Sequence, residues 1–325
     1  DCLALLPTGA GKSVCYQVPM LCMEGIGIVV SPLIALMKDQ VDQLQQIGIR
    51  ATAIYSGMSR REIDFTLDNC IFGNYKLLYV SPERLKSEIF LERVRRMPVN
   101  LIAVDEAHCI SHWGHDFRPS YLEINTFRKV VPDVGVLAVT ATATQKVVEE
   151  IAEKLSLTDY RLLKGNFFRD QLSFSVRKVE DKDSKLTDIL SKIPGSAIVY
   201  VRSRKTAKET SVMLNHHQIS ADFYHAGLSY DSRNKKQENW QAGLTRVMVA
   251  TNAFGMGIDK SNVRLVIHFD LPENIESYYK EPGRAGRDKN KTYAVILYQE
   301  ADLTLLKHIA ARAHPSPEYL KKIYK

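Results

Sequence analysis

Lys12 and Ser13 close the run Pro7-Thr8-Gly9-Ala10-Gly11-Lys12-Ser13, which follows the apolar segment Leu3–Leu6 and precedes a helical pattern. Glycines at this spacing let a loop curl until several backbone N–H groups point inward, and the following helix adds its partially positive end. An ammonium at Lys12 reaches β- and γ-phosphates and a hydroxyl at Ser13 can hold Mg²⁺. Thr8, Gly9, Ala10, Gly11, Lys12 and Ser13 therefore form a candidate triphosphate cradle. Leu6 stands at the first glycine position of the fuller GxxxxGK[ST] pattern, and a plain turn with an incidental Lys-Ser pair is the competing reading. A second cluster, Asp105-Glu106-Ala107-His108, ends the apolar run Leu101–Val104. Carboxylates at the C-terminal end of a parallel strand project into the crevice where ligands sit. There Asp105 would hold Mg²⁺ through water, and Glu106 would orient or deprotonate an attacking water. Acidic residues also favour helix N-caps, which is the alternative for this pair.

Trp113, Phe117 and Arg118 share the short polar segment that follows, where aromatic faces can stack on unpaired bases and an arginine can stack or grip phosphate. Core filling is the ordinary fate of such aromatics, but the Gly, His, Asp, Arg and Pro around them read as an exposed loop. Cys109, His112 and His115 also have ligand-like spacing, yet a zinc site wants four well-placed donors. Thr140-Ala141-Thr142 follows another apolar run, and its hydroxyls can bond to His108; Thr144 suits an N-cap for the helix from Gln145. In the second half, Arg202 lies in a basic turn. Asp259 ends a glycine-containing segment and could hold a ribose or an arginine. Arg284 and Arg287 offer planar guanidinium groups suited to charge on γ-phosphate oxygens. Ion pairs of these two arginines with Glu281 and Asp288 are the alternative.

Short apolar runs must position these groups. Leu3–Leu6, Ile26–Val30, Leu77–Val80, Leu101–Val104 and Val136–Val139 are nearly continuous in apolar residues, as strands are when both faces of a parallel sheet are covered. Helical patterns such as Leu33–Ile47 and Gln145–Leu155 lie between them. Ala197–Val201, Ala221–Tyr224, Val247–Ala250, Leu265–Phe269 and Ala294–Tyr298 form a second set. Strand–helix alternation predicts an α/β fold of two sets, residues 1–168 and 169–325, divided near Phe168 by the polar segment Asn166–Ser175.

The quoted motifs resemble those of the superfamily 2 helicases, and Ser31-Pro32-Leu33-Ile34-Ala35-Leu36-Met37-Lys38-Asp39-Gln40 with Cys109–Pro119 narrows the resemblance to the RecQ family. Val201-Arg202 and Lys280 depart from that family's usual Cys-Asn and Gln. The resemblance implies two RecA-like P-loop lobes, each a mostly parallel sheet flanked by helices, closing on Mg-ATP and moving 3′ to 5′ on single-stranded DNA. It implies Lys12, Asp105, Glu106, Arg284 and Arg287 as catalytic, with Arg287 the finger. It implies His108, Thr140 and Thr142 as coupling residues, and Ser31, Lys38, Trp113, Phe117, Arg118 and Arg202 as DNA contacts. It also implies duplex junctions as substrates, single-strand-binding or repair proteins as partners, and action as a monomer in DNA repair and recombination. A duplex translocase, an RNA helicase or a nucleotide-switched binding module are the rival functions.

The 325 residues carry a net charge of +7. Residues 1–168 hold 18 Lys/Arg and 19 Asp/Glu, whereas residues 169–325 hold 26 and 18, so the basic excess belongs to the second set. It suits a polyanionic partner, although a solvated helix face is the ordinary use of such charge. Five cysteines without a CxxC pair argue against a disulfide framework or structural zinc. The longest apolar stretch, Gly25–Met37, is interrupted by Ser31 and Pro32 and is too short for a bilayer. The expectation is a cytoplasmic, nucleoid-associated fragment without membrane contact. It would lack the family's upstream adenine-recognition motif and its downstream zinc and winged-helix region, and would therefore bind ATP weakly.

Overall fold

The computed structural model describes residues 1–113, 116–141, 143–255, 260–272, 274–288, 290–313 and 321. The chain divides into two compact units, Asp1–Phe168 and Arg169–Lys325.

The first unit runs β1 (Cys2–Leu5), α1 (Lys12–Cys22), β2 (Ile26–Val30), α2 (Ile34–Gln46), β3 (Ala51–Ile54), α3 (Arg60–Phe72) and β4 (Leu77–Val80). It continues with α4 (Glu88–Val94), β5 (Val99–Val104), α5 (Glu123–Arg128), β6 (Val136–Thr140), α6 (Gln145–Lys154) and β7 (Arg161–Lys164). Its strands make one seven-stranded sheet in the order β3-β4-β2-β5-β6-β1-β7, with parallel pairing throughout. Central β2 reads Ile-Gly-Ile-Val-Val and is buried at every position, as a strand covered on both faces must be. Alternate side chains serve opposite faces. Ile28, Val30, Ile102 and Val104 join the core under α3 to α6, while Val29, Ala103 and Val139 pack with Tyr16 and Met20 of α1 and Met37 and Val41 of α2. Gly27 lets α1 lie close, because a Cβ there would come within 2.2 Å of the Met20 side chain. Local signals set the helix starts: Ser59 and Glu62 form a capping box on α3, and Thr144 accepts the Val147 N–H to cap α6.

Register puts the chemistry on one edge. Leu5 pairs with Thr140, Val30 with Val104 and Val104 with Ala138. The segments leaving β1, β2, β5 and β6 therefore emerge together at the carboxyl end of the sheet, the usual ligand edge of an open parallel sheet.

The second unit runs β8 (Leu172–Lys178), α7 (Lys182–Lys192), β9 (Ser196–Tyr200), α8 (Arg204–His216), β10 (Ala221–Tyr224) and α9 (Tyr230–Gln241). Then come β11 (Val247–Ala250), β12 (Val263–His268), α10 (Ile275–Lys280), β13 (Thr292–Tyr298) and α11 (Glu300–Ala313). Its six-stranded sheet has the order β10-β11-β9-β12-β13-β8, again parallel. One face packs on Leu186 and Leu190 of α7 and Ala207 and Leu214 of α8. The other closes over Trp240 and Phe254.

Both units are α/β with covered parallel sheets, as the strand–helix alternation predicts. Three strands depart from that reading. β3 and β7 have no counterpart in it, and Leu172–Ser175, read as polar boundary, begins β8. All three occupy or end a sheet edge, where only one neighbour pairs. Such strands need no continuous apolar run; β7 and β8 are largely exposed.

Candidate active site

The cradle starts where β1 ends. The Leu6 N–H still donates to the Thr140 carbonyl at 3.0 Å, and the Ala10 N–H then turns back onto the Pro7 carbonyl at 3.1 Å. Gly9 and Gly11 have φ of 86° and 79°, left-handed values that cost an ordinary residue about 1–2 kcal/mol. Gly11 is the N-cap of α1 and no side chain caps it. A Cβ on Gly11 would meet nothing nearer than 4.0 Å, so the space above the cap is open. A helix start with Lys12 and Ser13 in its first turn and open space before it fits a phosphate group.

The acidic side lies at the end of β5. Asp105 is buried; its N–H donates to the Val30 carbonyl at 2.9 Å, and its carbonyl accepts the Tyr121 hydroxyl at 2.8 Å. Its carboxylate accepts the Glu106 N–H at 2.9 Å. Glu106 itself has φ of 47°, a left-handed value unusual for a residue with a side chain. A Glu106 carboxylate oxygen lies 3.3 Å from His108 Nδ1, and the same nitrogen is 2.9 Å from Thr140 Oγ1. His108 is thus a buried bridge from the β5 end to the β6 end.

Tyr16 joins the two halves. Burial pushes its phenol well above the ordinary value, the nearby Asp105 carboxylate pushes it further, and its hydroxyl bonds with Ser13 and Tyr79. Burial likewise raises Tyr79 to about 12. Gln17 donates to the Tyr79 hydroxyl at 2.9 Å and to Gln40 at 2.8 Å. Two protonated phenols therefore back Ser13 and Asp105, the pair whose hydroxyl and carboxylate suit Mg²⁺.

Among the expected nucleic-acid contacts, Ser31 is only 2% exposed. Its N–H donates to the Val80 carbonyl at 3.1 Å. Lys38 places its ammonium 4.9 Å from the Tyr55 ring. Trp113 is 65% exposed. Phe117 packs on His112 with ring centroids 3.9 Å apart. Arg118 donates to the Pro32 carbonyl at 3.2 Å and pairs with Asp116 at 3.4 Å, tying this loop to the segment after β2. His108, Cys109 and Asp116 bring potential ligand atoms within 4.8 Å of one another. The Cys109 thiol points at Asp116, at 3.8 Å, and His108 Nδ1 is engaged as above. His115 lies outside the described residues.

In the second unit, Arg202 donates its backbone N–H to Asp270 at 2.7 Å and its guanidinium to the Leu271 carbonyl at 3.0 Å. It lines a pocket of about 100 Å³ with Tyr200, Asn252, His268, Asp270 and Glu281. Arg284 is buried and donates to the Gly255 carbonyl, beside Tyr200, whose hydroxyl donates to the Phe254 carbonyl at 3.0 Å. That environment makes Arg284 a brace for the Phe254–Gly255 turn. Glu281 engages His268 at 2.6 Å and Asp288 engages Arg264. Thr142 and Asp259 lie outside the described residues.

Arg169 carries no local sequence signal of its role. Its guanidinium donates to the carbonyls of Gly283 at 3.0 Å, Ala285 at 2.5 Å and Gly286 at 3.1 Å, cradling the loop that carries Arg284 and Arg287. Burial and the neighbouring Arg287 cation lower its pKa. Its partners are over a hundred positions away, so no local pattern could have found it. Tyr16 likewise reaches Tyr79 and Asp105 only through folding.

The profile of the DEAD/DEAH box helicases matches residues 1–151, and that of the helicase conserved C-terminal domain matches residues 181–289. The chain is 46% identical over 301 residues to the ATP-dependent DNA helicase RecQ of Bacillus subtilis, covering 92% of this chain and 51% of that protein. It is 42% identical to the Haemophilus influenzae protein of the same name, covering 98% and 52%. The chain thus spans about half the length of these curated relatives. A solved structure of the Mycobacterium smegmatis helicase Lhr, bound to single-stranded DNA and AMP-PNP, shares the fold. Its TM-score is 0.72 at 21% identity, over 91% of this chain and 43% of that one.

Proposed function

Because the chain belongs to the RecQ family of DEAD/DEAH box helicases, we propose that it is the ATP-hydrolysing motor of a DNA helicase, stimulated by single-stranded DNA. The observation that carries this reading is the carboxyl edge of the first sheet. There the cradle after β1, the Asp105–Glu106 pair after β5 and the Thr140 hydroxyl at the end of β6 emerge together, with His108 joining the last two.

Each residue has a part that follows from its chemistry. The Gly9–Gly11 turn and the start of α1 receive phosphate oxygens, and Lys12 adds a cation. Ser13 and Asp105 would hold Mg²⁺, which when bound offsets charge on the β- and γ-phosphates. Glu106 orients and deprotonates the attacking water. His108 senses whether the Glu106 carboxylate is engaged and passes that to Thr140. Arg287 has the guanidinium suited to charge developing on a γ-phosphate, and its loop is braced through Arg284 and Arg169. Translocation from 3′ to 5′, unwinding at duplex junctions, work with repair proteins, action as a monomer and a cytoplasmic setting belong to the same proposal. No described helix is long and apolar enough to cross a membrane.

The retained Lys12, Glu106 and Arg287 favour hydrolysis over a nucleotide-switched binding module. The choice of nucleic acid is tested by ATP turnover with single-stranded DNA, single-stranded RNA or blunt duplex. Single-stranded DNA should stimulate most; stronger stimulation by RNA or duplex would overturn the assignment.

A further inference from the structure

The loop that carries Trp113 is not free to take any position: α6 grips it. Ser111 donates its hydroxyl to Glu150 at 2.5 Å, and the His112 N–H donates to the other oxygen of that carboxylate at 3.2 Å. The Trp113 N–H in turn donates to Ser111 Oγ at 3.1 Å. One turn earlier on the same helix face, the Lys146 ammonium lies 3.0 Å from the centre of the Trp113 ring. Burial opposes the charge on Glu150, but the bonds from Ser111, His112 and Trp113 win, and its carboxyl stays below the usual range.

The grip closes a circuit. The short 3₁₀ turn Ala107–Ile110 carries His108. At its front end His108 is bonded to Thr140, the last residue of β6. Immediately after its far end Ser111 is bonded to Glu150 of α6, the helix that follows β6. Both ends of the turn beside Glu106 are therefore stapled to the same β6–α6 unit. Trp113, exposed and held by one cation, is the part of that circuit open to solvent.

We propose that Glu150 is a positioning residue that couples the Trp113 loop to the hydrolytic turn, with Lys146 seating the indole until a nucleobase stacks there. The proposal deepens the reading of the chain as a DNA-stimulated ATPase and rests on it. Glu150 touches neither phosphate nor base; it sets where Trp113 waits and transmits its displacement to the turn that holds His108.

The test measures ATP turnover with and without single-stranded DNA for wild type, Glu150→Ala, Glu150→Gln, Ser111→Ala and the Ser111→Ala/Glu150→Ala pair. Acrylamide quenching of tryptophan emission runs in parallel. Trp240 is fully buried, so quenching reports Trp113. Glu150→Ala should lower DNA-stimulated turnover about tenfold, leave basal turnover and the KM for ATP unchanged, and increase quenching. Glu150→Gln keeps an acceptor oxygen and should fall between; it also serves if the alanine variant does not fold. The double variant should be no worse than Glu150→Ala, because both remove one link. Wild-type stimulation and quenching in Glu150→Ala, equal losses of basal and stimulated turnover, or additive losses in the pair would each overturn the proposal. If wild type itself shows no stimulation, the functional reading fails, and unchanged quenching in Glu150→Ala would then refute the grip separately.

Discussion

Several of the residues that matter most in each unit act through backbone carbonyls and buried partners. Arg169 shows how far this goes. A single guanidinium meets three carbonyls of the loop bearing Arg284 and Arg287, a fork-shaped donor set that lysine cannot copy. Arg169→Lys should therefore fail almost as fully as Arg169→Ala. Both should lose about 2 kcal/mol of unfolding free energy in denaturant titration and reduce ATP turnover more than they raise the KM for ATP. Full rescue by lysine would mean that only the charge matters. Glu106 makes a related point: its left-handed backbone turns a carboxylate that could have been a simple cap toward His108.

Elements position these residues by close packing of α1 on the sheet. A Cβ at position 27 would strike the Met20 side chain, including its own Cβ at 2.9 Å, so α1 would have to move rather than a side-chain tip. Gly27→Ala should cost about 1–3 kcal/mol of stability and, because α1 begins at Lys12, weaken ATP binding; nucleotide titration beside thermal melting checks both. The sequence made much of this layout readable. β2, β4 and β11 match their apolar runs residue for residue, because strands covered on both faces leave a continuous apolar signature; β10 matches too, although it lies at a sheet edge and contains Asp222. Edge strands β3, β7 and β8 leave none. The cradle and the Asp105–Glu106 pair lie in short local runs and could be named from them. Tyr16, Glu150 and Arg169 could not, because each works on partners brought near only by folding.

At the scale of the molecule, two parallel-sheet units divide the labour unevenly. The first holds the proposed phosphate cradle, the acidic pair and the gripped aromatic loop, while the second holds the arginine loop and the basic excess of charge. The proposed mechanism turns on Glu106 activating water for a hydrolysis stimulated by single-stranded DNA. The most direct test is ATP turnover by the chain, with and without single-stranded DNA, for wild type and Glu106→Gln. DNA should accelerate the wild type, and the variant should lose at least about 100-fold of the stimulated rate while its thermal unfolding is unchanged. Stimulated turnover retained by the folded Glu106→Gln chain would contradict that role for Glu106.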